Sequence, residues 1–245
     1  MPRTRNIYDP TSTKLYKLSR SKLEDFSRCP RCFYLDRRLG VSRPSGFPFN
    51  LNSAVDELLK REFDAYREKK EPHPYMIDAG IDAVPAQHPQ LDDWRKNFKG
   101  VSFDHEQTGF TLFGAIDDLW LQSDGRYLVC DYKATSKHGE VDLNASWQIS
   151  YKRQMEIYQW LLRANGLDVS DRAWFVYCNG RRDHSRFDCQ LEFRISLLPY
   201  DGDDSWVEGA LQNAARTLKS DIMPMPGKDC EFCLYRADAL EHEHK

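Results

Sequence analysis

The sequence of 245 residues contains no long apolar run. No stretch approaches the roughly 20 apolar residues that a membrane-spanning helix needs, so we expect no membrane partner. The first twenty residues also lack the apolar segment that a signal peptide requires. These absences predict a cytoplasmic protein, in which thiols stay reduced.

The sequence also has no excess of positive charge, no internal repeat and no low-complexity segment. Its formal net charge is −3, so a nucleic-acid partner would need a local basic patch. Phosphate contacts and base stacking use positive and aromatic side chains. Such residues occur in SRSK (19–22), RCFYLDRR (31–38), YKRQ (151–154) and GRRDHSR (180–186). A solvated charged face is the alternative interpretation of each stretch.

Hydrophobic residues make up 40% of the chain, which is enough for a sizeable core. Their spacing and the turn residues between them predict helices over 19–29, 31–40, 52–70, 145–166 and 203–220, and strands over 172–180 and 189–198. Two further apolar runs joined by Ser123, Asp124 and Gly125 predict a β-hairpin. The pattern predicts an α/β fold with a mixed central sheet flanked by helices. Residues 71–90 lack a clear pattern and are expected to form a surface excursion.

Helix ends and caps are predicted from local signals. Ser21 and Glu24 have the spacing of a capping box for the first helix. In the third helix, Ser53 has the position of an N-cap and Asp56 follows three residues later.

The segment VCDYKATS, residues 129–136, begins like a buried strand and then carries an acid and a base. Alternate side chains of a strand share a face, so Asp131 and Lys133 project together while Tyr132 points away. The preceding strand carries Asp117 and Asp118, and hairpin pairing would bring one of them to Asp131. Two close carboxylates repel unless a cation lies between them, and Mg²⁺ or Mn²⁺ takes such oxygen ligands. A neighbouring lysine suits phosphodiester hydrolysis; an ordinary ion pair at a strand end is the alternative.

The order GAIDD, hairpin, DYK and QMEIY resembles the PD-(D/E)XK nuclease superfamily. The resemblance is to its RecB-like branch and to the CRISPR-associated iron–sulfur exonucleases. It implies a restriction-endonuclease-like core in which Asp117 and Asp131 bind the metal and Lys133 is catalytic. It also implies that Gln154 and Tyr158, which share a helix face, form the Q-x-x-x-Y motif that positions the site and the nucleic acid.

Two assignments stay open at this point. Periodicity does not decide between Asp117 and Asp118, although the motif favours Asp117. Asp56 stands where this branch has a metal-binding histidine. The alternative is that Ser53 is the N-cap and that Asp56, three residues later, is an acid favoured by the helix dipole. The resemblance further implies that the main-chain carbonyl of Tyr132 contributes to the metal site.

The cysteines form two C-x₂-C pairs at opposite ends of the chain, Cys29 with Cys32 and Cys230 with Cys233. Together they predict one shared metal or cluster site, which closes a lobe of residues 19–40 and 222–240 within a single domain, 1–245. Spacing alone favours zinc, whereas the resemblance implies a structural [4Fe–4S] cluster. The related nucleases use one N-terminal and three C-terminal cysteines, and Ala239 stands near the place of the third.

The other three cysteines, Cys130, Cys178 and Cys189, are interpreted as small core residues. The resemblance as a whole implies a metal-dependent nuclease that acts on DNA, with single-stranded DNA preferred and exonuclease-like action. Helicase, CRISPR and repair proteins are the partner classes that it implies. The alternative hypothesis is a non-catalytic nucleic-acid-binding or docking module stabilised by a four-cysteine zinc site.

Overall fold

The computed structural model describes residues 5–44, residue 46 and residues 50–243. Within these residues the chain forms eight α-helices, eight β-strands and one short 3₁₀ helix, Ser146–Gln148. The helices are α1 (Arg20–Arg28), α2 (Pro30–Arg38), α3 (Asn50–Lys69), α4 (Pro74–Asp78), α5 (Leu91–Trp94), α6 (Ile149–Ala164), α7 (Ser205–Lys219) and α8 (Glu231–Glu243). The strands are β1 (Tyr16–Ser19), β2 (Ala83–Pro85), β3 (Val101–His105), β4 (Phe110–Gly114), β5 (Asp118–Gln122), β6 (Tyr127–Thr135), β7 (Arg172–Gly180) and β8 (Phe193–Asp201).

The chain divides into two compact units. The first takes the described residues of 1–47, 102–113 and 205–245, and the second those of 48–101 and 114–204. The first unit carries the two cysteine pairs, and the second carries the acid–base strand. In the part of the chain that the structure describes, no helix has both the length and the apolar character of a membrane span.

The second unit is built on a five-stranded sheet with the order β2-β5-β6-β7-β8. Strand β6 runs parallel to β7, while the other neighbouring strands are antiparallel. The predicted α/β fold with a mixed sheet and flanking helices is confirmed. The first unit contains a second, three-stranded sheet, β1-β4-β3, that the sequence did not predict.

Helices α3 and α6 cover opposite faces of the five-stranded sheet. From α3, Phe63 stacks on Trp120 of β5 with ring centroids 5.5 Å apart and lies 5.6 Å from the ring of Tyr132. From α6, Gln154 contacts Asp131 of β6. Because Asp131 and Tyr132 are consecutive strand residues, they face opposite sides of the sheet.

The prediction of a surface excursion over residues 71–90 is wrong. This segment contains α4, whose Met76 is fully buried, and β2, which pairs with β5 and extends the sheet. A single short turn of helix and a three-residue strand are too short to show a periodicity in the sequence, so neither could be predicted. Their burial depends on partners that are distant in sequence.

The predicted hairpin of β5 and β6 is confirmed, and its turn determines the strand register. Gln122 N–H donates to the carbonyl of Arg126 at 2.9 Å, which leaves a loop of three residues that ends at Gly125. Gly125 has φ of +88°, the left-handed conformation that a three-residue hairpin loop requires at this place. The register pairs Asp118 with Cys130.

The first unit packs α1, α2 and α7 through their apolar faces, and the helices predicted for these segments are confirmed. The capping box of Ser21 and Glu24 is wrong, because the N-cap of α1 is Ser19, two residues earlier, and the Ser19 hydroxyl makes its hydrogen bond with the Ser21 hydroxyl instead. Helix α8 differs from the other described helices because none of its described residues is buried.

Candidate active site

The β5–β6 hairpin brings two carboxylates together. Extending the observed register by one residue places Asp117 opposite Asp131, and directly opposed side chains of an antiparallel pair are close neighbours. The two carboxylates are near enough to share a hydrogen bond when one is protonated. Asp117 is further held by the main-chain N–H of Tyr132, which donates to its Oδ2 at 2.9 Å.

Lys133 lies on the same face of β6 as Asp131, and its Nζ forms an ion pair with Asp131 Oδ2. Burial raises the pKa of Asp131 to about 7, because the Lys133 ammonium offsets only part of the desolvation cost and Asp117 adds a second negative charge. Burial alone would lower the pKa of Lys133, but the charges of Asp131 and Asp117 raise it, so the lysine stays protonated at neutral pH.

Helix α6 supplies the amide that orders this ion pair. Gln154 Nε2 donates to Asp131 Oδ1 at 2.7 Å and to the Tyr158 hydroxyl at 3.0 Å. Its Oε1 accepts a 3.5 Å hydrogen bond from Lys133 Nζ. Tyr158 is only 2% exposed, and its hydroxyl contacts the site by accepting the hydrogen bond from Gln154.

Asp118 has entirely different surroundings from Asp117. It is fully buried on the opposite face and forms ion pairs with the guanidinium groups of Arg67 and Arg95. Its Oδ2 also accepts hydrogen bonds from the Tyr132 hydroxyl at 2.8 Å and from Trp120 Nε1 at 3.2 Å. Burial alone would raise the pKa of Asp118, but the two arginines lower it. Its oxygens are thus engaged away from Asp131.

Asp56 of α3 lies on the Asp117 side of the site. Its Oδ2 forms a 2.8 Å ion pair with Lys60, and Lys60 Nζ lies 3.7 Å from Asp117 Oδ1. Burial and the charge of Asp117 raise the pKa of Asp56. The N-cap interpretation of Ser53 is wrong, because α3 already includes residues from Asn50 onward.

The carboxylates fit a hard divalent cation at one place. Asp117 and Asp131 offer oxygen ligands of the type that Mg²⁺ and Mn²⁺ prefer, and their mutual repulsion is relieved by a bound cation. Asp56 does not extend them into a compact triad: among the described residues, only the four paired cysteines form a group of three or more metal-ligating side chains whose ligand atoms all lie within 4.8 Å of one another.

The four paired cysteines converge in the first unit, as the shared-site prediction required. Their Sγ atoms lie 3.7 Å apart for Cys29 and Cys233, 3.5 Å for Cys32 and Cys230, and 3.6 Å for Cys32 and Cys233. A tetrahedral ion with metal–sulfur bonds of about 2.3 Å separates its thiolates by about 3.8 Å. The group therefore fits a single tetrahedral ion.

Main-chain donors support negative charge on this cysteine group. The N–H groups of Gly227 and Cys32 donate to Cys29 Sγ at 3.2 and 3.4 Å. Burial opposes ionisation, but these hydrogen bonds lower the pKa of Cys29 to about 6. The Arg43 guanidinium lies 4.0 Å from Cys230 Sγ and adds positive charge. Such donors stabilise thiolate ligands of a metal.

Of the remaining cysteines, Cys130 and Cys178 are buried core residues, as predicted. The same interpretation of Cys189 is wrong, because this residue is exposed and lies outside the strands with φ of +58°. The strand predicted over 189–198 is β8, which begins only at Phe193, four residues after Cys189.

Much of the positive charge in the predicted segments is paired with nearby acidic residues. Arg37 is buried against Asp36, while Arg181 pairs with Asp183 and Glu192. Sequence reasoning also missed Lys60, Arg67 and Arg95. Only the four-residue spacing of Asp56 and Lys60 on one helix signals such a contact in advance.

The protein-family model of the PD-(D/E)XK nuclease superfamily matches residues 17–237 of the chain. No curated protein matches the chain. The matched range contains all the predicted carboxylates, Lys133 and both cysteine pairs.

Proposed function

The chain belongs to the PD-(D/E)XK nuclease superfamily, and from this premise we propose that it is a divalent-metal-dependent nuclease that hydrolyses DNA. The observation that carries the proposal is the meeting of Asp117, Asp131 and Lys133 at one end of the β5–β6 hairpin. A non-catalytic binding module has no need of a buried lysine held in this way.

We assign each residue a role from its contacts. Asp117 and Asp131 would hold Mg²⁺ or Mn²⁺, with the main-chain carbonyl of Tyr132 as a further ligand. When bound, this cation supplies electrostatic stabilisation of the phosphoryl group. The Lys133 ammonium, fixed by Asp131 and by Gln154, orients the attacking water and faces the negative charge of the phosphate.

Gln154 and Tyr158 act as positioning residues in this proposal. The two amide hydrogens of Gln154 are donated to Asp131 and to the Tyr158 hydroxyl, so the amide cannot rotate without losing both hydrogen bonds. The amide oxygen is thereby aimed at Lys133. This arrangement holds the Lys133 ammonium and the Asp131 carboxyl in one geometry before the substrate binds.

An aromatic pair beside Lys133 supports a preference for single-stranded DNA. Tyr151 lies under the Lys133 ammonium, with the nitrogen 4.6 Å from the ring centroid. Trp147 packs edge-on against Tyr151 at 5.3 Å, and 60% of Trp147 is exposed. An exposed indole next to the scissile position can stack on an unpaired base, and bases of a duplex are not available for such stacking.

The structural role that we propose for the cysteine lobe, residues 19–40 and 222–240, is to join the two ends of the chain through a bound metal. The Sγ separations favour the single-ion alternative, zinc, over the [4Fe–4S] cluster, in which each thiolate faces a different iron. Anaerobically purified protein is then colourless with about one zinc per chain. Brown protein with iron and sulfide would instead support the cluster.

The nuclease proposal is tested with end-labelled single- and double-stranded DNA and RNA in Mg²⁺ or Mn²⁺. We expect the wild-type protein to degrade single-stranded DNA, and Lys133→Ala to lower the rate by roughly 100-fold or more. Lys137→Ala is the matched control, since Lys137 is an exposed lysine on the same segment that pairs with Asp142. Labels at either end distinguish exonuclease from endonuclease products.

Two outcomes of this assay contradict the proposal. Wild-type protein that is inert on all four substrates with both cations favours the binding or docking module. Equal loss of activity in Lys133→Ala and Lys137→Ala would show that Lys133 has no specific role in the reaction. Trp147→Ala, measured in the same assay, is expected to reduce the preference for single strands while cleavage itself continues.

A further inference from the structure

Lys60 lies between two of the three carboxylates at the site. Its Nζ is 2.8 Å from Asp56 Oδ2 and 3.7 Å from Asp117 Oδ1. Asp56 and Lys60 come from one turn of α3, whereas Asp117 precedes β5. The ammonium thus bridges two elements of the second unit.

This contact differs from an ordinary ion pair on a helix surface. An ordinary pair lies on the same helix, where Arg61 and Glu57 form an i,i+4 ion pair. Their side chains are 69% and 66% exposed. The side chains of Lys60 and Asp56 are only 20% and 33% exposed. Exposed helix pairs contribute little to stability, whereas a half-buried ammonium between two carboxylates determines the local charge.

The charges of the five nearest groups restrict how many cations the site can hold. When a cation has displaced the proton of Asp131, Asp56, Asp117 and Asp131 carry three negative charges, and Lys60 and Lys133 carry two positive ones. One net negative charge remains. A single divalent cation and one phosphodiester anion together balance it, whereas a second divalent cation would leave two uncompensated positive charges near Lys60.

We propose that Lys60 is a positioning residue that takes the place of a second divalent cation, so that this site binds one cation, at Asp117 and Asp131. In this arrangement Asp56 is a partner of Lys60 and not a metal ligand. Lys60 keeps Asp117 oriented toward Asp131 and compensates the charge of Asp56. The inference rests on the proposed function, because it concerns the same metal site.

The test is the number of Mn²⁺ ions bound per chain, measured by titration calorimetry and by electron paramagnetic resonance without nucleic acid. The protein is used with its cysteine group loaded, and Asp131→Asn gives the background of unrelated sites. We expect about one specific Mn²⁺ in the wild type and about two in Lys60→Met, since removal of the ammonium leaves Asp56 and Asp117 free to bind a cation.

Three further variants make the result specific. Arg61→Met removes a positive charge from the same helix and is expected to leave one Mn²⁺ bound. Lys60→Arg keeps the charge and is also expected to bind one. Lys60→Gln, checked for its helix content by circular dichroism, replaces Lys60→Met if that variant does not fold.

Two Mn²⁺ ions or none in the wild type would overturn the inference, and so would one ion in a folded Lys60→Met and Lys60→Gln. Failure of the proposed function has a different signature. A wild-type protein that binds one Mn²⁺, gains a second in Lys60→Met and cleaves no substrate would refute the nuclease while leaving the assignment of Lys60 intact.

Discussion

Asp117 and Asp118 are adjacent in the chain but have opposite environments. Asp117 lies with Asp131 and accepts the main-chain hydrogen bond of Tyr132, and its side chain is 21% exposed. Asp118 is fully buried between Arg67 and Arg95. One residue therefore serves the candidate site, and its neighbour holds the sheet to α3 and to the segment after α5.

This contrast predicts opposite phenotypes for two conservative substitutions. Asp118→Asn should lower the free energy of unfolding by about 3 kcal/mol, because it removes the buried carboxylate between two guanidinium groups and leaves them only the partly exposed Asp64 as an anion. Asp117→Asn should change it by about 1 kcal/mol or less and abolish cleavage. Urea unfolding and the nuclease assay measure both quantities. An Asp118→Asn protein that is stable yet inactive, beside an active Asp117→Asn, would exchange the two roles.

The raised pKa of Asp131 predicts a pH dependence of cation binding. Since the pKa is about 7 in the folded chain, the carboxyl holds a proton at lower pH, and a cation must displace it. The affinity for Mn²⁺ should rise about tenfold per pH unit up to about pH 7 and level off above it. Calorimetric titrations from pH 5.5 to 8.5 check this trend, and an affinity that is constant over this range contradicts it.

The raised pKa of Asp131 also predicts how the stability of the protein depends on pH. A carboxyl whose pKa is higher in the folded than in the unfolded chain contributes most at low pH, and that contribution is lost as pH rises toward 7. Without a divalent cation, this carboxyl should therefore make the protein less stable at neutral pH than at acidic pH. A bound cation reverses this loss by favouring the ionised form.

At the scale of elements, α8 is the described helix that has no buried residue of its own and one cysteine of the group, Cys233. Its 13 residues have no buried member among those described, and isolated helices of this length are marginal in water. Cys233 lies within it, and Cys230 immediately precedes it. Metal ligation by these two residues would therefore supply much of what keeps α8 in place.

Removal of the cysteine-bound metal should release α8 while the second unit stays folded. We expect chelation, or Cys230→Ser, to abolish protection from hydrogen exchange over 231–243 and to leave β6 and β7 protected. Cys189→Ser is the matched control, because Cys189 is exposed and distant in sequence from both pairs. Unchanged protection of α8 after complete metal removal would show that other contacts hold the helix.

At the scale of the whole molecule, the charge is balanced locally. The net charge of −3 conceals many short-range pairs, such as Arg181 with Glu192 and Arg172 with Asp201. Positive residues that already have acidic partners contribute little to a nucleic-acid surface. The substrate contacts that we propose therefore concentrate at the cation site and at Trp147.

Some of the site could be read from local sequence. Asp131 and Lys133 share a face because the strand period is two, and Gln154 and Tyr158 share one because they are a helical turn apart. The choice of Asp117 over Asp118 could also be predicted from local sequence. A three-residue loop that ends at Gly125 sets the register that places Asp117 opposite Asp131. Periodicity alone did not reveal it.

The sequence by itself determined five of the eight described helices, the hairpin, the acid–base strand and the two cysteine pairs, since each of these depends on spacings of a few residues. Only the tertiary structure decided that Arg67 and Arg95 neutralise Asp118, 51 and 23 residues away, that Lys60 reaches Asp117, and that residues 71–90 complete the sheet. Buried charges and short edge strands are stable only beside specific partners, and chain folding alone brings such distant partners together.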